Sequence, residues 1–144
     1  MNLGFNHRFV PDLLSETAKG RSVLEPVVPR SAAIFNLSRA ALLVNALNTG
    51  DFALLRVATQ DALHQQAREK NFLPLSATIQ AAINAGASGA FLSGAGPTIM
   101  AITAERQMTI GDEMSDAASR FGVTGDVRIL QPARTGAKLY RQIT

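Results

Sequence analysis

Cysteine is absent from the 144 residues, and so is tryptophan. Disulfides and thiolate metal sites are therefore excluded, which fits a reducing compartment. Histidine is nearly absent too, with His7 and His64 the two in the chain. That is too few nitrogen ligands for a zinc centre, and no H-E-x-x-H pattern occurs. Neither a G-x-S-x-G nucleophile elbow nor a G-x-x-x-x-G-K-[ST] phosphate loop is present. Aromatic residues make up only 6% and no basic run exceeds two residues. Nucleic-acid readers concentrate basic charge on one element, often with aromatics between, so nucleic acid is not an expected partner. No apolar run approaches the ~18 residues of a membrane span. The opening MNLGFNHRF lacks the basic-then-apolar order of a secretory signal. A soluble, cytoplasmic protein is expected.

What remains is an ordinary globular balance, 47% hydrophobic and 17% charged, with a net charge of +3. Residues 1–144 are long enough for one domain with one core, and they carry no repeat, low-complexity tract or linker. His7–Leu14 is strand-compatible, with Pro11 confining it to a sheet edge or a strand end. Ser15–Leu24 reads as a short helix capped by Ser15 or Thr17. Ser31–Asn48 is the strongest helix signal. Ile34, Leu37, Ala41 and Val44 share one face, and Phe35, Leu42, Leu43 and Leu47 widen it almost all round, so the helix is expected to be buried. Gly50 ends it and Asp51 is placed to cap a helix from Phe52 to about Glu69, burying Leu54, Leu55, Ala58 and Ala62. On that helix Asp61, His64 and Arg68 would form one polar stripe.

Pro74 opens a further helix, with Leu75, Ile79, Ala82 and Ile83 on its apolar side and Gly86 at its end. Gly89–Ser93 and Thr98–Thr103 read as strands flanking a glycine-rich turn. Met114, Ala117, Ala118 and Phe121 follow helical spacing up to Gly122, and Asp126–Leu130 reads as a final strand. The order predicts an α+β fold, an antiparallel sheet with helices packed on one face.

Two features could carry chemistry. In Ser93-Gly-Ala-Gly-Pro97 the glycines permit positive φ and let backbone N–H groups approach an anion. The spacing is equally satisfied by a plain hairpin. Arg21 and Arg68 lie on or beside helices that can pack near that turn, and a guanidinium fork suits a carboxylate or phosphate. Each is also an ordinary solvated arginine. His64, beside an apolar face, suits a hydrogen-bonded core residue better than a catalytic base.

Read together, these stretches resemble the GHMP kinase superfamily and, within it, the homoserine kinases. Gly89-Ala90 and Ser93–Thr98 match the third superfamily motif, G-A-x-x-S-G-A-G-P-T. Val10-Pro-Asp12, Thr17-Ala-Lys-Gly-Arg21 and Val23-Leu24 are similar to the homoserine kinase V-P-D…S-T-x-x-A-R-x-x-L-P segment. Pro29–Val44 resembles its P-R-x-D-A-V-F-N-x-x-R-A-A-L-L-V helix, and Thr59–Gln65 with Arg68 resembles D-x-L-H-Q-P-Y-R. The likeness runs from about Phe9 to Leu139.

The resemblance implies transfer of the ATP γ-phosphoryl group to the hydroxyl of L-homoserine, with Mg²⁺ as the metal. Arg21 and Arg68 match arginines that hold the substrate's α-carboxylate, and Thr17 matches a threonine beside them. Ser93, Gly94, Ala95 and Gly96 match a loop lying against the phosphate site. The chain departs from the pattern at Glu16, Gly20, Ala32 and Gln66-Ala67. More importantly, the second motif, P-x-x-x-G-L-G-S-S-A, is missing. That motif wraps the ATP phosphates at a helix start. The expectation is a C-terminal half without the N-terminal ATP-binding domain, inactive in isolation, with its catalytic residues in the other half. An N-terminal half or a second copy is the expected protein partner. The competing expectation is a non-catalytic module that binds an amino acid or another protein on the same fold.

Overall fold

Strict alternation of buried and half-exposed residues, as in Ile99–Thr103, lets a strand cover a core with one face only. In the computed structural model, which describes residues 5–13, 22–104, 107–133, 135–137 and 139, four strands form one sheet. They are β1 (Phe5–Pro11), β2 (Gly89–Leu92), β3 (Ile99–Thr103) and β4 (Gly125–Leu130), in the order β2-β3-β1-β4, and β4 is mostly exposed. Every pairing is antiparallel. β1 is a central strand, and Pro11 sits at its last position opposite Gly125, beyond the end of the β3 pairing at Phe9, while on the other side Asp12 N–H still donates to the Thr124 carbonyl at 2.9 Å.

The helices are α1 (Arg30–Thr49), α2 (Leu55–Ala58), α3 (Gln65–Glu69), α4 (Leu75–Asn84) and α5 (Gln107–Ser119), with a 3-10 turn at Phe52–Leu54. Pro74 precedes α4, its carbonyl accepting from the Thr78 N–H at 2.9 Å. Helices α4 and α5 cover one face of the sheet. Phe9, Ala90, Leu92, Ile99 and Ala101 from the strands meet Leu75, Ala82, Ile110, Met114 and Ala118 in the main core. The expected α+β sandwich is observed. Among the described residues no helix is long and apolar enough to cross a membrane.

Two helix expectations are corrected. α1 forms where expected and ends at Gly50, whose φ of 75° is a left-handed cap. However, only Ala46 of it is buried. The stripe expected to face the core lies in solvent, with Ile34 56%, Leu37 72% and Val44 69% exposed. The inward stripe is the other one, made of the half-buried Phe35, Asn36, Arg39, Leu42 and Leu43. Apolar residues all round a helix show that both sides favour cover, and this chain covers one of them.

The single helix expected over Phe52–Glu69 is instead two short helices and a loop. Asp51 makes no side-chain cap bond. Leu55 and Ala58 are buried as expected, while Leu54 and Ala62 are half-buried. The helix expected at Ser15–Leu24 lies mostly outside the described residues.

The break after α2 brings that segment hard against the sheet edge. Thr59 Oγ1 donates back to the Leu55 carbonyl at 2.8 Å, which turns its methyl toward β2. A Cβ at Gly89 would stand 2.9 Å from Thr59 Cγ2 and 3.0 Å from the Leu55 carbonyl oxygen. Gly89 is thus required by contact, not by backbone conformation. Gly96 is required on both grounds, with φ of 80° and a Cβ position 2.8 Å from Leu92 Cδ1.

Gly89→Ala should therefore lower stability by about 1–3 kcal/mol, since backbone cannot swing aside as a side chain can. Chemical denaturation monitored by circular dichroism measures this. The open stripe on α1 should make the chain self-associate. Concentration-dependent elution in size-exclusion chromatography is expected, and Leu37→Glu should abolish it without lowering the melting temperature.

Candidate functional site

The turn between β2 and β3 closes through Ser93 N–H to the Thr98 carbonyl (2.8 Å) and Gly96 N–H to the Ser93 carbonyl (3.1 Å). Gly94 and Gly96 both have positive φ, 62° and 80°, and the Gly96–Pro97 peptide is cis. The Gly94 carbonyl is turned outward and meets Arg68, whose Nη1 donates to it at 2.6 Å. Gln65, one helical turn earlier, accepts the Leu92 N–H on Oε1 at 2.8 Å. The β2 end of this turn is thus held at two points by side chains of α3. Residues 26 and 27 positions apart in sequence are joined at these bonds.

The five-residue α3 is far too short to be stable alone, so its placement must come from its ends. Ahead of its start sits Asp61. Its Oδ2 accepts the N–H groups of Leu63 (3.2 Å), His64 (2.6 Å) and Gln65 (2.7 Å). Its Oδ1 accepts Asn36 Nδ2 of α1 at 2.6 Å. Asn36 in return accepts the Ala62 N–H on Oδ1 at 2.8 Å. Because Ala62 N–H can only donate, this bond also fixes which way the Asn36 amide faces. Arg39 adds a second tie, donating from Nη2 to Gln60 Oε1 at 3.2 Å while its guanidinium lies 3.8 Å above the Phe35 ring.

Asp61 is therefore the acceptor that orders the loop leading into α3, four residues ahead of the helix, and does not share one helical polar stripe with His64 and Arg68. Burial raises its carboxyl pKa. The Gln65 N–H, the Asn36 amide, the His64 N–H and the His64 charge outweigh burial and hold it below 3.8. Spacing drew attention to Asp61 and Arg68 but missed Asn36 and Gln65. A further signal lay in the type of residue 61, since aspartate ahead of a helix competes for its first N–H groups.

Asp61, His64, Gln65, Arg68 and Gly94 line a cavity of about 440 Å³ together with the apolar Leu43, Ala58, Phe91 and Leu92. An arginine beside an apolar patch suits a small molecule with a carboxylate and a short aliphatic stem. Of the residues expected at the site, the structure brings together Arg68 and the Ser93–Gly96 turn. Thr17 and Arg21 lie outside the described residues. A magnesium site needs several oxygen ligands at one point. Among the described residues no three acidic, histidine or cysteine side chains gather to hold a metal ion.

The sign of the Asp61 effect is set by its lowered pKa. The hydrogen-bonded carboxylate contributes stability above the ordinary value of 3.8, and the contribution is lost as pH falls through the lower folded value. Thermal melts should show stability dropping below about pH 4, with a shallower slope in Asp61→Asn.

Comparison with known proteins identifies the family and the fold. The family described as "GHMP kinases C terminal" matches residues 43–120. Homoserine kinase of Aquifex aeolicus is 41% identical over 132 residues, covering 91% of this chain and 44% of that protein. Homoserine kinase of Desulfitobacterium hafniense is 40% identical over 129 residues, covering 89% and 43%. The chain thus spans less than half the length of these relatives. The crystal structure of homoserine kinase from Cytophaga hutchinsonii superposes with a TM-score of 0.82 at 25% identity, over 87% of this chain and 40% of that one. L. major mevalonate kinase shares the fold with a TM-score of 0.67 at 18% identity, over 91% of this chain and 44% of that one. The family match covers more than half of the chain and includes the cleft from Leu43 to Gly94; this chain belongs to the GHMP kinases, as their C-terminal domain.

Proposed function

We propose that the chain is the substrate-holding part of a homoserine kinase, which transfers a phosphoryl group from ATP to the hydroxyl of L-homoserine. The observation that carries this is the Arg68–Gly94 bond inside the cleft. It fixes a guanidinium against the turn that the resemblance sets beside the phosphate site. Phosphoryl transfer depends mainly on positioning and charge neutralisation. Arg68, with Arg21 and Thr17 by resemblance, holds the α-carboxylate. The methylenes of the substrate lie against Leu43, Ala58 and Phe91, and its hydroxyl points toward the turn. ATP and Mg²⁺ are bound by the part of the enzyme that carries the phosphate-wrapping motif. The isolated chain binds homoserine but does not phosphorylate it.

A chimera joining this chain to the N-terminal part of the Aquifex aeolicus homoserine kinase tests the reading by ADP release. Turnover with L-homoserine is expected, and Arg68→Ala should raise the homoserine KM by about 10- to 150-fold, the loss of one charge-assisted contact. The KM for ATP should not move. Unchanged homoserine kinetics in Arg68→Ala, or a preference for mevalonate, would overturn the proposal. Homoserine binding without turnover in the chimera would favour a non-catalytic module.

A further inference from the structure

We infer that Asn36 and Asp61 are a positioning pair that sets Arg68 and the glycine-rich turn from α1. This rests on the reading of the cleft as an amino-acid site.

The continuity of the bonding carries the inference. Asn36 uses both ends of its amide on the segment that leads into α3, one on the Asp61 carboxylate and one on the Ala62 N–H. Asp61 uses its other oxygen on the N–H groups of Leu63 and His64, which lead into that helix, and of Gln65, its first residue. Four residues beyond Asp61, Gln65 fixes the end of β2, and seven beyond it Arg68 fixes Gly94. A helix of five residues has no stiffness of its own to spend on orientation. The direction in which Arg68 points is therefore inherited from these anchors. Aspartate alone would suffice to satisfy the N–H groups of Leu63, His64 and Gln65. The reciprocal bond to Asn36, 25 residues upstream, does something that role does not need, since it ties the loop ahead of α3 to the long helix α1. Arg39 to Gln60 repeats that tie one turn along α1.

The pair has a direction, amide donor on α1 and carboxylate acceptor on the loop, and that direction can be reversed. Asp61→Asn sets two amide donors face to face, and Asn36→Asp sets two carboxylates together. The double variant N36D/D61N restores the bond with donor and acceptor exchanged, keeps an acceptor for Ala62 N–H, and keeps a side-chain oxygen for the N–H groups of Leu63, His64 and Gln65. Amide resonances of Leu92, whose N–H donates to Gln65, and of Ala95, whose N–H shares a peptide with the Gly94 carbonyl that accepts from Arg68, report the turn without any ligand. L-Homoserine titration of the same samples reports the cleft.

Each single variant should shift both resonances and raise the homoserine Kd about tenfold, and the double variant should return both to near wild type. A loop acceptor without a positioning role would lower the melting temperature while leaving the resonances and the Kd of the folded molecules unchanged. That result, or a double variant no better than the singles, overturns the inference. If Asn36→Asp does not fold, folding of the double variant is itself the restoration. Asn36→Ser then supplies the loss of the bond. Arg68→Ala titrated alongside separates the two claims. If it binds homoserine as wild type does, the reading of the cleft falls, and the Leu92 and Ala95 resonances still decide the positioning role.

Discussion

Four hydrogen-bond donors converge on the Asp61 carboxylate, three from the backbone and one from Asn36. The geometry of the cleft depends on this convergence. The segment between α2 and α3 has no regular ladder of its own, so its N–H groups need another acceptor. One ionised side chain supplies it. Charge-assisted bonds are the stronger class, and here they are spent at a point where a short helix must be aimed. From that point the order runs outward, to Gln65 and β2, then to Arg68 and Gly94.

Helix α1 stands on both sides of this arrangement. Its inward stripe holds Asn36 and Arg39 against the loop, and Leu43 lines the cleft. Its outward stripe carries Ile34, Leu37 and Val44 into solvent. The same twenty residues thus present a polar bonding surface to the site and an apolar surface away from it. Few single elements combine these, because polar anchors are normally placed on loops above a rigid scaffold. Here the anchor is the scaffold.

The parts of the fold legible in the sequence are those where one local pattern decides the outcome. Ile99, Ala101 and Thr103 alternate with half-exposed residues, and β3 follows. Met114, Ala117 and Ala118 repeat at helical spacing, and α5 follows. Phe121, assigned to the same apolar stripe, lies beyond the helix and half exposed. Where two local outcomes compete, pattern failed. Residues 52–69 are apolar enough for one helix, but the Asp61 side chain offers the backbone a better acceptor than the helix continuing through Thr59–Leu63 would. The burial of α1 could not be read either, since apolarity states a need for cover and not its source. In the candidate site, Arg68 and the turn were singled out by residue type and by resemblance. Their contact was not derivable from spacing. The Asn36–Asp61 pair is invisible for the same reason, as nothing local links an asparagine within a helix to an aspartate two elements later.

Gly89 belongs to a motif that reads as a phosphate-site loop, yet its missing Cβ is demanded by Thr59 and Leu55 behind it. A glycine in such a motif can be kept by packing alone, whatever the loop beside it does. Thr59 and Gly89 share one volume, but the Leu55 carbonyl bounds it as well, so shortening residue 59 alone would not admit a side chain at 89. The glycine there records a steric constraint set largely by backbone, in a stretch otherwise read only for chemistry.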